Sequence, residues 1–437
     1  MKIQENKKLR GVTFSLIMLI IFNSACNNSE SLPKENSVTS ATKIIEESPQ
    51  EDETSETVKI EADETPEESP QENKVTENES HDVSEEILSM GKAGEILGGM
   101  TLDEKIYQMF FVKPEALTGI GTAIQAGDAT KSAIELKPVG GVIYFASNIQ
   151  TKEQISTMIT NTQNYSEIPL FIGVDEEGGR VARISGNPQM GFEKIAAMAN
   201  IGASGDSNRA FGVGEQIAKN IAPLGFNVDF APVADIITNP NNTEIGDRAF
   251  GTEADLVSQM VSQKVIGLQS NGVCAAVKHF PGHGSTQLDS HNGYSESLRT
   301  LDELRSVEFL PFKAGIEAGS DFVLISHMSA VNVDNSGVPS SISKIIVTDI
   351  LKNELNYEKI IITDAMNMGA VTDIYSSGDA AVLAIEAGID MILMPENMDE
   401  AFSGVKAAVD NGRISEERIN ESVLKILQIK IDRHIIK

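Results

Sequence analysis

From Met100 to the C-terminus, short apolar runs rich in β-branched residues alternate with longer stretches whose apolar positions recur at helical spacing. Eight runs read as strands: Gln108–Val112, Gly141–Phe145, Leu170–Asp175, Asn227–Ala231, Val273–His279, Phe322–His327, Ile360–Asp364 and Met391–Met394. Between them the helical period predicts crossover helices over Asp206–Pro223, Glu253–Ser270, Asp302–Ala318, Lys344–Leu355, Asp379–Ala387 and Met398–Asn411. Thr101-Leu102-Asp103-Glu104 forms a capping box, Thr151 opens another helix, and Ser415-Glu416-Glu417 opens the last.

Strand–helix alternation of this kind implies a parallel sheet. Eight units over about 350 residues match an α/β (β/α)8 TIM-type barrel, with an open doubly wound sheet as the alternative. The strand ends favour the barrel. Several close on a charged or imidazole side chain, namely Asp175, Lys278-His279, His327 and Asp364, and a closed barrel makes such ends converge.

Ahead of this region the pattern changes twice. Lys2, Lys7, Lys8 and Arg10 precede an apolar run from Val12 to Phe22 and then Asn23-Ser24-Ala25-Cys26. The run falls short of the ~20 residues a bilayer span needs, so residues 1–26 read as an export signal of lipoprotein type, with Cys26 as the lipid-attachment residue. A plain signal peptide with an incidental Cys26 is the competing reading. Residues 27–86 are Ser, Glu, Thr, Asn and Pro with almost no aromatics, which predicts a disordered linker. That stretch holds 19 acidic residues against 4 lysines, so its own repulsion should extend it as a stalk. The remainder, 87–437, is the expected catalytic barrel, in an extracytoplasmic, membrane-tethered protein.

Charge narrows the partners. The chain carries a formal net charge of -29 and the barrel region remains acidic, which argues against nucleic acid. Cys274 is the one cysteine besides Cys26, so no disulfide framework is expected.

The segment richest in chemistry is Lys278-His279-Phe280-Pro281-Gly282-His283-Gly284, followed four residues later by Asp289-Ser290-His291; it holds three of the six histidines. Pro281 and the glycines mark it as a loop. Asp289, two residues from His291, can orient and support an imidazole that gives and takes a proton. Ile360-Ile361-Ile362-Thr363-Asp364 ends an apolar strand in a lone carboxylate, suited to attack a substrate carbon or hold a cation. Gly173-Val174-Asp175-Glu176-Glu177-Gly178-Gly179-Arg180-Val181-Ala182-Arg183 places another strand-end carboxylate before two arginines, a combination suited to hydroxyl recognition.

These residues resemble glycoside hydrolase family 3, in its single-domain bacterial β-N-acetylglucosaminidase branch, over nearly all of Met100–Lys437. The likeness rests on the Lys278–His291 motif, the Thr363-Asp364 pair and Ile245-Gly246-Asp247-Arg248-Ala249-Phe250 after Asn239-Pro240. It implies Asp364 as nucleophile, His291 as general acid/base, Asp289 as its dyad partner, and Asp175, Arg183, Arg248, Lys278 and His279 as sugar-binding residues. No cofactor and no metal are implied. The expected activity is retaining exo-β-N-acetylglucosaminidase action on peptidoglycan-derived glycans. The rivals are another family 3 β-glycosidase or a glycoside phosphorylase, and a catalytically silent sugar-binding lipoprotein. A metal hydrolase would want ligand carboxylates that His279, His283 and His291 lack. One departure is Lys359, where the broader family usually has Gly.

Plainer roles compete for several positions. His283 reads as a residue shaping its loop, Met366, Met368, Met391 and Met394 as packing, and Arg180 as a solvated loop arginine. His327 stands evenly between structure and chemistry, and Asp364 taken alone would be a helix cap.

Overall fold

The computed structural model describes residues Gly91–Thr286 and Ser295–Lys437. The signal over 1–26 with Cys26, the linker over 27–86, and the Asp289 and His291 pair lie outside the described residues.

Eight parallel strands form the centre. They are β1 Phe110–Val112, β2 Gly141–Ile143, β3 Phe171–Val174, β4 Val228–Asp229, β5 Cys274–Phe280, β6 Phe322–Ile325, β7 Ile360–Thr363 and β8 Ile392–Leu393. Neighbours in sequence pair in order from β1 to β7, and β8 pairs with β1. The ring closes between β7 and β8, where Ile362 bridges Met391 and the Thr363 N–H donates to the Met391 carbonyl at 3.1 Å. The fold is a TIM-type barrel.

Strands covered on both faces read as continuous apolar runs, which is why Phe-Val-Leu-Ile in β6 and Ile-Ile-Ile-Thr in β7 are buried at every position. Phenylalanines fill the interior: Phe111 meets Phe230 edge-on at 5.3 Å and Phe171 meets Phe322 at 5.2 Å. Gly173 makes room for them, since a Cβ there would lie 2.7 Å from the Phe230 ring and 2.8 Å from that of Phe111.

The crossover helices follow the apolar period, with three differences. Residues Asp302–Ala318 do not form one helix; they divide into Leu301–Ser306 and Phe309–Glu317. Pro311 has no N–H to give the carbonyl of Val307, so the first helix ends at that point. Two further helices, Pro114–Thr118 and Asp128–Leu136, occupy the connection between β1 and β2, which the apolar period left unassigned. Residues Ile345–Glu354 are helical as expected but wind with the wider π repeat, the Leu355 N–H reaching back to the Ile350 carbonyl.

The last helix, Glu416–Asp432, seals the amino ends of the strands. Asp321 before β6 takes Arg433 at 2.6 Å and Lys359 at 2.9 Å, and Asp390 before β8 takes Lys425 at 3.2 Å and Ser422 at 2.7 Å. Lys359, the residue standing in place of the family's usual glycine, is thereby tied to Asp321 and to the Gly319 carbonyl, at the end opposite the polar strand tips. Chemistry is left to the carboxyl end.

Candidate active site

A cavity of about 320 Å³ opens at the carboxyl ends of the strands. Asp175, Arg183, Arg248, Lys278, His279 and Asp364 all line it, although they are spread over nearly 190 residues of sequence. Phe145, Phe230, Leu324 and Leu393 give it an apolar floor.

Barrel strand ends deliver Asp175, Lys278, His279 and Asp364, while Arg183 follows a short hairpin and Arg248 ends a 3-10 turn. Asp175 directly follows β3 and Asp364 directly follows β7. Neighbouring residues of a strand point to opposite sides, yet Lys278 and His279 both face the cavity, because the register of β5 shifts between Val277 and Phe280. Past the strand the chain turns at Gly282, with φ +125°, and runs so close to the preceding loop that a Cβ on Gly284 would lie 1.8 Å from the Ile236 carbonyl oxygen. The two glycines of the motif therefore answer to backbone geometry.

A charged network holds these groups. Lys278 Nζ lies 2.8 Å from Asp175 Oδ1 and 2.7 Å from Glu177 Oε1. Arg248 grips the same Glu177 with both arms of its fork, Nε to Oε2 and Nη2 to Oε1, each at 2.8 Å. Burial pushes the Glu177 carboxyl up, but Lys278 and Arg248 outweigh it and hold it well below the usual carboxylate range. Burial likewise opposes charge on Lys278, and Asp175 and Glu177 more than restore it. Behind them His279 Nδ1 donates to Asp235 Oδ2 at 2.7 Å, leaving Nε2 toward Arg248 Nη2 at 3.3 Å. Asp235 also accepts the His283 backbone N–H at 2.6 Å, so one buried carboxylate fixes both the ring of His279 and the start of the motif loop.

Asp364 sits in a pinned turn. Its own N–H donates to the Ile325 carbonyl at 2.7 Å, and its Oδ1 accepts the Ala365 N–H at 2.8 Å. Among the described residues Oδ2 takes no hydrogen bond. Burial raises its pKa, while His279, His327, the Ala365 N–H and Lys278 together bring it below the ordinary aspartate value. The result is an anion at neutral pH with one oxygen available to a ligand. His327 bonds Ser341 through Nδ1 at 2.8 Å and the Ala365 carbonyl through Nε2 at 3.0 Å, so it braces the turn that presents Asp364.

Arg183 behaves differently from Arg248. It makes no ion pair among the described residues, its Nε is buried without a hydrogen-bond partner, and its guanidinium lies 6.0 Å from the Phe145 ring centroid. Glu176 places it, accepting the N–H groups of Ile184 at 2.7 Å and Ser185 at 2.9 Å.

His283 keeps to the loop-shaping reading while also touching the cavity. Its ring is buried and bonds Thr286 through Nδ1 at 2.9 Å, and burial lowers its pKa. Thr286 is the last described residue before Asp289 and His291, and Asn239 Nδ2 holds its carbonyl at 2.9 Å. Glu177, Asp235 and Glu244 were not assigned from sequence. Asp235 ends the apolar run Phe230-Ala231-Pro232-Val233-Ala234 in a carboxylate, the same signature that marked Asp175 and Asp364. Among the described residues no group of three or more His, Cys, Asp or Glu side chains could hold a metal ion.

The family described as "Glycosyl hydrolase family 3 N terminal domain" matches residues 101–429. The chain belongs to glycosyl hydrolase family 3. Among its relatives, Beta-hexosaminidase A of Pseudoalteromonas piscicida is 32% identical over 319 residues, covering 67% of this chain and 53% of the relative. Beta-hexosaminidase of Nitrosomonas eutropha is 31% identical over 331 residues, covering 73% and 92%. A solved family 3 β-N-acetylglucosaminidase from Paenibacillus sp. str. FPU-7 is similar with a TM-score of 0.73 and 34% identity, over 78% of this chain and 64% of that one. The family 3 chain described here thus spans about half the length of the Pseudoalteromonas relative and under two thirds of the Paenibacillus structure.

Proposed function

We propose that the chain is a retaining exo-β-N-acetylglucosaminidase that releases terminal N-acetylglucosamine from peptidoglycan-derived glycans or muropeptides. The observation that carries this reading is the convergence of Asp175, Arg183, Arg248, Lys278, His279 and Asp364 on one cavity at the barrel mouth. At about 320 Å³ the cavity lies at the small end of ligand pockets, which run from about 300 to 1,000 Å³, and so fits one sugar residue better than an extended chain. The relatives named as hexosaminidases support the sugar.

In this reading Asp364 Oδ2 attacks the anomeric carbon as the glycosidic C–O bond breaks and the leaving oxygen takes a proton from His291. Water then adds to the same carbon, gives its proton to His291 and frees Asp364. Two displacements retain configuration. Asp289 orients His291, and Asp175, Arg183, Arg248, Lys278 and His279 hold the ring hydroxyls. His291 is five residues beyond Thr286, and that tether extends to at most roughly 17 Å, enough to reach a cavity that His283 lines. An imidazole, cationic as the acid and neutral as the base, also meets a carboxylate-bearing muropeptide without the repulsion an ionised glutamate would bring. Cys26 is the proposed lipid anchor, with 27–86 as the stalk between the membrane surface and the barrel.

The test is a panel of aryl β-glycosides with wild type, Asp364→Ala and His291→Ala, followed by purified muropeptides. Release of free N-acetylglucosamine, lost in both variants, is the expected result. Activity untouched by Asp364→Ala, or no activity on any β-glycoside, would sink the reading; a phosphorylated sugar made only with phosphate would point to a phosphorylase. A fluorosugar that fails to label Asp364 would remove the covalent step, and Cys26→Ala should move the protein out of the membrane fraction.

A further inference from the structure

The hairpin formed by Glu176–Gly178 and Val181–Ala182 has two sides. Its inner side carries Glu177, the partner of Arg248 and Lys278. At its tip Arg180 points away from the cavity, which it does not line, and reaches the loop after β4. There Nη2 donates to the carbonyls of Thr243 at 2.8 Å, Glu244, and Ile245 at 3.4 Å, and Nε lies 3.1 Å from Asp247 Oδ1. Three successive carbonyls converge on one guanidinium just before Gly246, whose φ is +43°. The next residues are the 3-10 turn Gly246–Arg248, which aims Arg248 into the cavity.

We propose that Arg180 is a positioning residue: from outside the cavity it fixes the loop 243–248 and with it the placement of Arg248 and Glu244. Several features separate this from an ordinary surface arginine. The ion pair with Asp247 is exposed on both sides and contributes little in water. The carbonyls are another matter. Besides Arg180, the hydrogen bonds to them from described side chains come from Arg248 itself, at 3.3 Å to Glu244, and from no other element. The guanidinium holds the loop at two points with one rigid plane, Nη2 at the carbonyls and Nε at Asp247, where a flexible ammonium would offer a single point of contact. Arg180 also joins the loop to the hairpin that supplies Glu177, so both ends of the Arg248–Glu177 contact rest on one clasp.

The functional consequence rests on Arg248 gripping the sugar, as proposed above. Displacing Arg248 removes binding shared by the ground and transition states, which raises KM and leaves kcat. Arg180→Met should raise KM on an aryl β-N-acetylglucosaminide about tenfold with kcat within about threefold, and thermal midpoint close to wild type. Arg180→Lys should recover part of that loss, and Asp247→Asn should stay within about twofold of wild type because the carbonyl bonds remain. Amide exchange provides a second readout that needs no substrate: residues 243–248 should exchange about tenfold faster in Arg180→Met while β5 is unchanged. An inactive wild type would sink the proposed activity and leave the exchange experiment to decide this inference. Unchanged KM together with unchanged exchange at 243–248, or a fall in kcat that tracks a lost thermal midpoint, would overturn it.

Discussion

Lys430 is a lysine buried without a counter-charge among the described residues, and its cost can be worked out. It projects from the C-terminal helix into the base of the barrel, fully buried, with Nζ 2.9 Å from Gln108 Oε1 and 5.1 Å from the Phe171 ring centroid. Burial pushes its pKa down to about 7. An unfolded lysine titrates near 10.4, so between these values the unfolded chain binds the proton more firmly and stability rises with pH. At pH 7 the difference disfavours the fold by about 4 kcal/mol, and by pH 10 it falls below about 1 kcal/mol. Lys430→Met removes this cost but leaves Gln108 Oε1 without its donor, a loss of about 1–3 kcal/mol. The variant should therefore be more stable than wild type by about 2 kcal/mol at pH 7 and less stable by about 1–2 kcal/mol at pH 10. Urea unfolding of the full chain at pH 7, 8.5 and 10, comparing the two proteins at each pH so that other titrations cancel, measures the crossing. A difference that stays flat across this range would refute the reasoning.

Further expectations concern the mouth. Glu177→Gln should cost about 3–5 kcal/mol, because Lys278 and Arg248 lose a shared buried counter-ion. Since Glu177 is held below its unfolded value, that contribution is present above about pH 4.3 and lost as pH falls through the folded value, so urea midpoints of variant and wild type should converge in acid. Gly284→Ala should lose about 3 kcal/mol, read by thermal unfolding, because the new methyl meets the Ile236 carbonyl rather than a yielding side chain. Asp364 is held ionised, so the acid limb of kcat/KM that belongs to it should fall below about pH 3.9. A limb assigned to Asp364 near pH 6 would contradict that.

The barrel was legible because its strands are apolar on both faces, so that even β4 and β8, two residues each, stood out as longer runs. Strand-end polarity located Asp175 and Asp364 for the same reason: little else in a buried parallel strand is charged. The break in Asp302–Ala318 was also visible, since Pro311 stands inside the helical period and should have ended it. The role of Glu177 was not legible. Its meaning lies in Arg248, 71 residues away, and in Lys278 on another strand, and no local pattern encodes a pairing across a barrel mouth. Arg180 looked solvated because its acceptors are backbone carbonyls, which carry no sequence signature. Asp289 and His291 lie outside the described residues, and their assignment rests on the motif.

The two cavity arginines provide the sharpest separation of binding from stability. Arg248 is a buried counter-ion: it neutralises Glu177 through two bonds of 2.8 Å, and Glu244 adds a third contact at 3.1 Å. Arg183 has no carboxylate partner among the described residues, and its position is set by Glu176 holding the backbone at Ile184 and Ser185. Removing the first leaves a buried anion behind; removing the second leaves nothing uncompensated. Arg248→Met should therefore cost about 3–5 kcal/mol of stability along with affinity. Arg183→Met should stay within about 0.5 kcal/mol of wild type in unfolding, while KM for an aryl N-acetylglucosaminide rises by about 10- to 100-fold, the loss of one or two hydrogen bonds from a charged donor. Unfolding midpoints and KM measured on both variants decide the matter. If Arg183→Met destabilises the protein as much as Arg248→Met does, Arg183 holds up the fold and the cavity has no cation free for a ligand.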